Sequence, residues 1–373
     1  MRAIAAIDPM RAYTMDGKAA TRPLANDCPA PHCQGSGATH PCLPETSMLR
    51  YATPFRFTLS ALACLVAMSE LAPLAHAQTA DASAGEIRVT LLGTGTPRPL
   101  MDRFGPSILV ETGQEKLIFD AGRGAMQRLL QLGVSYADLT GVLLTHLHSD
   151  HTVGLPDLWL TGWLISSRAD PLELWGPAGT RRMADGLRSA YAFDLDIRVR
   201  DDGVPAAGGR LNAHELGEQV VFDRGGVKVT SFLVDHGMVR PALGYRVDAG
   251  GHSVVLSGDT RYSPNLIAHA KGVDLLVHEV GAASAEELRR NPHTRTIIAH
   301  HTTPEQAAMV FNEVRPKLAV FSHIVLRGAT AEEVMRTTRL TYAGRLEMGE
   351  DLMRFRVGKE VTMEKFVPPA GAH

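Results

Sequence analysis

The chain has 373 residues, with 38 Lys and Arg against 40 Asp and Glu, and 45% hydrophobic residues. That composition excludes a disordered tail protein, a disulfide mini-domain and a coiled-coil rod. A formal net charge of −2 gives no bulk electrostatic reason to bind nucleic acid, although it leaves room for a local basic patch.

Residues 1–47 are rich in Pro, Ala, Thr and Gly and show no apolar period. Their Cys28, His32, Cys33, His40 and Cys42 fit no zinc-finger spacing. We read this stretch as a disordered or mis-annotated upstream extension. A new pattern starts at Met48. Arg50 and Arg56 form a basic n-region, Phe57 to Met68 is apolar, and Ala75-His76-Ala77 is a small-residue cleavage site. That is the layout of a secretory signal. Glu70 and Pro73 end the run short of the roughly 20 apolar residues of a membrane span. The expectation is a periplasmic or secreted mature chain, cleaved after Ala77, with residues 78–373 forming a single domain. Cys28, Cys33, Cys42 and Cys64 all precede Gln78. A metal in the mature chain would therefore be held by His and carboxylate.

Ile87–Leu92 reads as a strand running into Gly93-Thr-Gly95. Pro97 and Pro99 follow at once, so no helix starts there and the phosphate cradle of a dinucleotide fold is missing. Ser107–Glu111 and Lys116–Phe119 predict a hairpin around Gly113, and Ala125–Leu132 a helix. Further strands are expected at Val142–Leu144, Leu172–Trp175, Val227–Leu233, Leu243–Val247, Ser253–Leu256, Leu275–Val277 and Leu318–Phe321. Helices fit Ala178–Tyr191, Ala285–Arg290, Pro304–Val314 and Ala331–Tyr342. The pattern predicts two packed sheets with helices outside.

The chemistry concentrates in Thr145-His146-Leu147-His148-Ser149-Asp150-His151, just after an apolar strand. His146 and His148 point the same way in extended backbone. Asp150 and His151 sit at the turn that starts the next helix. Four ligands in six residues can serve two neighbouring metal ions. His236, Asp259 and His323 each follow another apolar strand, as one edge of a sheet sandwich would supply.

The T-H-L-H-S-D-H string, followed in order by His236, Asp259 and His323, resembles the metallo-β-lactamase superfamily. The resemblance runs from about Ile87 to His323 and implies an α/β fold, an αββα sandwich of two mixed β-sheets with helices on the outer faces. It implies that His146, His148 and His236 hold one zinc, that Asp150, His151 and His323 hold a second, and that Asp259 bridges both. Imidazole and carboxylate suit zinc, with Mn or Fe not excluded. The diiron flavoprotein branch typically has Glu at the position of His148, which favours zinc.

Local strings are similar to the ribonuclease Z branch. They are Leu91-Leu-Gly-Thr-Gly-Thr-Pro97, Ser257-Gly-Asp-Thr260, His278-Glu279-Val280, His301-Thr302-Thr303 and Gln306-Ala-Ala308. By that likeness Glu279 orients His301, which helps hold the phosphate or protonates the leaving group, with His300 as competitor for the role. Asp150, His301 and Glu279 are the catalytic candidates. Two features speak against a tRNA nuclease. His236 and Asp259 stand too close for the branch's long tRNA-clasping arm, and the export signal leads away from tRNA. The expectation is thus a secreted dinuclear zinc hydrolase, in which metal-bound hydroxide attacks a small phosphodiester or sulfate ester, arylsulfatase-like in layout. No nucleic acid partner is expected, no membrane after signal cleavage, and a homo-oligomer is left open. The alternatives are a lactonase or β-lactamase, a 3′-tRNA-processing endoribonuclease, and a non-catalytic metal-binding protein. Trp159, Trp163 and Trp175 form either an aryl-binding wall or core, and Arg98, Arg103, Arg123 and Arg261 are candidates for holding an anion.

Overall fold

Strands whose residues are buried on both faces need cover on both sides. All seven residues of β1 (Ile87–Gly93) are buried. The computed structural model, which describes residues 85–366, supplies that cover with two sheets and flanking helices. The upstream extension, the signal segment with its cleavage site, and the four cysteines lie outside the described residues.

After β1 come β2 (Ser107–Thr112), β3 (Glu115–Phe119), α1 (Ala125–Leu132), β4 (Gly141–Leu143), α2 (Ser149–Thr152), α3 (Leu155–Ser166), β5 (Leu172–Gly176), α4 (Thr180–Ala190), α5 (Ala192–Asp201) and β6 (Leu211–Glu215). The second half holds β7 (Gln219–Arg224), β8 (Val227–His236), β9 (Val239–Ala249), β10 (His252–Leu256), α6 (Pro264–Ala270), β11 (Leu275–Ala283), α7 (Ala285–Arg290), α8 (Pro292–Ile298), α9 (Pro304–Val314), β12 (Leu318–Arg327), α10 (Ala331–Arg339), β13 (Leu346–Met348), β14 (Met353–Val357) and β15 (Val361–Lys365).

One sheet has the order β15-β14-β1-β2-β3-β4-β5-β6, the other β13-β12-β11-β10-β9-β8-β7. Both are mixed: β3, β4, β5 and β6 pair in parallel, as do β10, β11, β12 and β13, while the other neighbours are antiparallel. An apolar core including Val89, Phe119, Tyr245, Leu256 and Val320 lies between the sheets. A second core packs α1 and α3 on the first sheet, and a third packs α6 and α9 on the other. The architecture is the expected αββα sandwich of two mixed sheets.

Several strands run further than expected. β11 continues through His278 and Glu279, and β12 through His323, because their parallel pairing persists to Ala283 and Arg327. The edge strands β6 and β7 had no apolar alternation to announce them. Trp159 and Trp163 are fully buried in α3, and Trp175 belongs to the inter-sheet core. These indoles are core, not the wall of an aryl site.

Two anchors fix loops near the strand ends. Asp351 accepts hydrogen bonds from Thr94 N and Oγ1 (both 2.9 Å), Phe104 N (2.8 Å) and Arg128 Nη2 (2.9 Å). It clamps both ends of the loop after β1 to the start of β14. A stack of glycines does the same for α2: a Cβ on Gly154 would collide with the Gly122 carbonyl, and one on Gly122 with Gly105. Only glycine allows backbones this close, and Gly154 N reaches Ala121 O at 2.8 Å.

Candidate metal centre

The β4 strand delivers Thr145, whose amide donates to Asp120 Oδ1 and whose hydroxyl donates to Asp120 Oδ2, each at 2.8 Å. That hydroxyl then accepts from His146 Nδ1 at 3.0 Å. Asp120 also takes His151 Nδ1 at 2.7 Å, and the His300 carbonyl takes His236 Nδ1 at 2.8 Å. With Nδ1 protonated by this network, His146, His151 and His236 each present a bare Nε2. Carboxylates and carbonyls placed behind imidazoles in this way orient metal-binding histidines. Asp120 sits at φ 59°, a left-handed conformation that Asp tolerates better than most residues. The sequence reading passed over it. Yet it ends the apolar strand β3, the same placement that singled out Asp259.

The other sheet supplies the rest. His236 ends β8. Asp259 follows Gly258, whose φ of 59° suits glycine. His323 does not follow its strand, as expected, but is an extra residue within it. Glu279 pairs with Ser322 and Val280 with Ile324, so His323 is bulged out, at φ 42°. A bulge re-aims a side chain without ending the strand.

Two groups of potential ligands converge. His146, His148, His236 and Asp259 form one, and Asp150, His151 and His323 form the other; within each, one ligand atom per residue lies within 4.8 Å of the rest. Asp259 stands between them, with Oδ2 3.8 Å from His146 Nε2 and His236 Nε2, and Oδ1 3.4 Å from His151 Nε2. Asp150 Oδ2 is 3.2 Å from His323 Nε2. His151 Nε2, His236 Nε2 and Asp259 Oδ1 are buried without a hydrogen-bond partner. Buried polar atoms are seldom left unpaired, and a divalent cation would satisfy all three. The donor set therefore fits a metal.

For three of the histidines the charge state agrees. Burial pushes His146 well down and His148 and His236 down, which favours the neutral, ligating imidazole. Burial would also lower His151 and raise Asp259. Instead the Asp259 and Asp120 carboxylates lift His151 well above the usual range, and His323 and His151 hold Asp259 well below it.

Glu279 and His301 meet as the resemblance implies. Glu279 Oε2 is 3.0 Å from His301 Nδ1, and its Oε1 takes the Thr302 amide at 2.7 Å. Burial pulls His301 down, but Glu279 outweighs it and lifts the imidazole to about 9. Among the described residues His300 has no such partner. Burial and the charges of His301 and Arg261 lower it. A cavity of about 220 Å³ opens over the centre, lined by Thr96, His148, Asp150, His236, Asp259 and His301 among others. Of the four arginines considered for an anion, Arg103 is spent on Thr94 Oγ1 and Gly349 O (both 2.7 Å), and Arg261 pairs with Asp235 through Nη2. Arg98 and Arg123 are exposed, and neither lines this cavity.

Residues 115–324 match the family described as the beta-lactamase superfamily domain. A protein named ribonuclease Z from Mycobacterium marinum (strain ATCC BAA-535 / M) is 37% identical over 275 residues, covering 73% of this chain and 99% of that protein. Another of that name, from Mycobacterium bovis (strain BCG / Pasteur 1173P2), is 36% identical over 275 residues, 73% of this chain and 98% of that protein. Among solved structures, human tRNase Z, short form, aligns with a TM-score of 0.53 and 26% identity over 72% of this chain and 98% of that one. The metallo-beta-lactamase fold protein YhfI from Bacillus subtilis aligns at 0.57 and 17% over 73% and 99%, a likeness of fold.

These relatives overturn two expectations. The reading as a small-ester or sulfate-ester hydrolase does not stand, nor does the expectation of no nucleic acid partner. The missing arm was overvalued. A 275-residue match that covers 98% or 99% of the mycobacterial proteins leaves no room in them for a long inserted arm either. Net charge misled as well, since a value summed over the chain is silent on the Arg261 side of the centre. The chain is a metal-dependent hydrolase of the beta-lactamase superfamily and belongs with the proteins named ribonuclease Z.

Proposed function

We propose that this chain hydrolyses a phosphodiester bond in RNA, with tRNA precursors as the first substrate to try, and that its metal is zinc in a two-ion centre. The observation that carries the reading is the pair of ligand groups with Asp259 standing 3.4–3.8 Å from donors of both, set beside a histidine held by a buried glutamate. His146, His148 and His236 would hold one ion, and Asp150, His151 and His323 the other. Zinc supplies Lewis acidity and lowers the pKa of bound water to about 7.

The chain's own residues do the rest. Asp120 and the His300 carbonyl fix the ligand tautomers before substrate arrives. Hydrolysis adds water across a P–O bond, and the leaving oxygen must gain a proton. Raised to about 9, His301 carries one at neutral pH. Glu279 holds its Nδ1, and its Nε2 has no hydrogen-bond partner among the described residues. A positioned acid of this kind contributes about 10²–10⁴-fold.

The test uses purified protein of measured metal content and a tRNA precursor bearing a 3′ trailer. Endonucleolytic cleavage that is lost on chelation and restored by zinc is expected. A fully metal-loaded protein that leaves RNA intact overturns the reading. We infer separately that residues 48–77 act as an export signal. N-terminal sequencing of the exported chain should then begin at Gln78, and a protein that keeps residue 48 onward in the cytoplasm would refute it.

A further inference from the structure

His301 is the wall between two cavities. One is the cavity over the metal centre. The other, of about 340 Å³, lies on its far side and is lined by Arg261, Leu288, Arg295, Ile298, His301 and Gln306 with a few neighbours. That volume is at the small end of the range for ligand sites. No Asp or Glu lines it. Two other surface clefts that hold arginines mix the signs. One sets Asp196 among Arg188, Arg200 and Arg210, and the other sets Glu305 and Glu333 beside Arg336.

The cations here have donors to spare. Among the described residues Arg261 is pinned by Asp235 through Nη2 alone, at 2.6 and 2.7 Å, which leaves Nε and Nη1 without an acceptor there. Arg295, exposed on α8, makes no side-chain hydrogen bond or ion pair with the described residues. Guanidinium groups in this state suit phosphate, which they bind through paired N–H donors. Leu288 and Ile298 add an apolar surface against which a sugar or base can lie.

We propose that this cavity is the subsite for the phosphate next to the scissile one in the RNA strand, held by Arg295 and the free N–H groups of Arg261. The proposal rests on the nuclease reading above. A strand crossing the metal centre passes His301 and places its neighbouring phosphate between the two arginines. The grip that a clasping arm supplies elsewhere in the branch is here built into the body of the fold.

The test compares two short RNA oligonucleotides that share one cleavage site. One has ordinary phosphodiesters beside that site, and the other has neutral methylphosphonates there. Arg295→Glu, Arg295→Ala and Arg295→Lys are made in the full chain. Arg295 is exposed and unpaired, so the variants should fold, and circular dichroism checks this. Arg295→Glu should raise KM for the ordinary RNA by about ten-fold or more, as loss of a charge-assisted contact does. Arg295→Lys should recover part of the loss. The penalty should shrink several-fold on the methylphosphonate RNA, because the partner charge is already gone. Equal penalties on both RNAs overturn the subsite while leaving the nuclease reading intact. A wild-type protein that cleaves neither RNA overturns the nuclease reading and the subsite with it.

Discussion

At the scale of single residues, Asp259 carries the most. Asp259→Ala removes the carboxylate that stands between the two ligand groups. It should abolish activity and release metal, read by elemental analysis of the purified protein. Full activity in that variant would refute the ligand assignment. Asp120 touches no ion in this scheme, yet it holds Thr145 and His151. Asp120→Ala should weaken metal binding by about 10–100-fold, the usual cost of losing a group behind a ligand. His301→Ala should keep its metal and slow turnover by about 10²–10⁴-fold. Loss of metal instead would make His301 a ligand, a role that its closeness to Asp259 and His323 also permits. The seven candidate ligand positions stood out in the sequence because each lies at the end of an apolar strand or in the T-H-L-H-S-D-H string. Asp120 shared the same placement but was hidden by Gly122 and Gly124, which made it look like an ordinary turn residue. The pairing of Glu279 with His301, rather than His300, needed the fold. Adjacent histidines differ only in which one faces the carboxylate.

Among elements, the ones that sequence rules place best have strong local signals. Helix α9 matches its expected bounds, with Thr303 and Gln306 forming a capping box and Pro304 at its first turn, the signature that marks a helix start. Helices α1 and α7 do too. Some elements that escaped notice lack such marks, although α6 and α8, each with a side-chain cap and a proline in its first turn, were passed over despite having them. Helix α3 is apolar around most of its circumference and so shows little period. Strands β6 and β7 lie at sheet edges, half exposed, where alternation is weak. The bulge at His323 arises from pairing with β11, a partner distant in sequence. The loop after β1 depends in the same way on a residue from the far end of the chain. Asp351→Ala would strip Thr94, Phe104 and Arg128 of their shared acceptor. Breaking a buried ion pair of this kind costs about 3–5 kcal/mol. A fall of that order in denaturant-derived stability is expected, together with a higher KM, since Thr96 and Pro97 of the same loop line the catalytic cavity. An unchanged stability would show that Arg128 and the two amides find water instead.

On the scale of the whole molecule, the cation and the fold should report on each other. A metal that binds only the folded chain stabilises it by about 2.7 kcal/mol at a hundredfold excess over its Kd. Differential scanning calorimetry should therefore show the melting temperature falling on chelation and recovering with zinc, and no shift would mean that the centre is not loaded. The donors behind this coupling come from opposite sides of the sandwich. His146, His148, Asp150 and His151 follow β4 of one sheet, whereas His236, Asp259 and His323 belong to the other. Neither half of the chain owns a complete set. An ion seated among them is a rivet through two plates. It resists their sliding, and fragments cut between α5 and β6 would each hold it poorly and recover tight binding only when they find one another again.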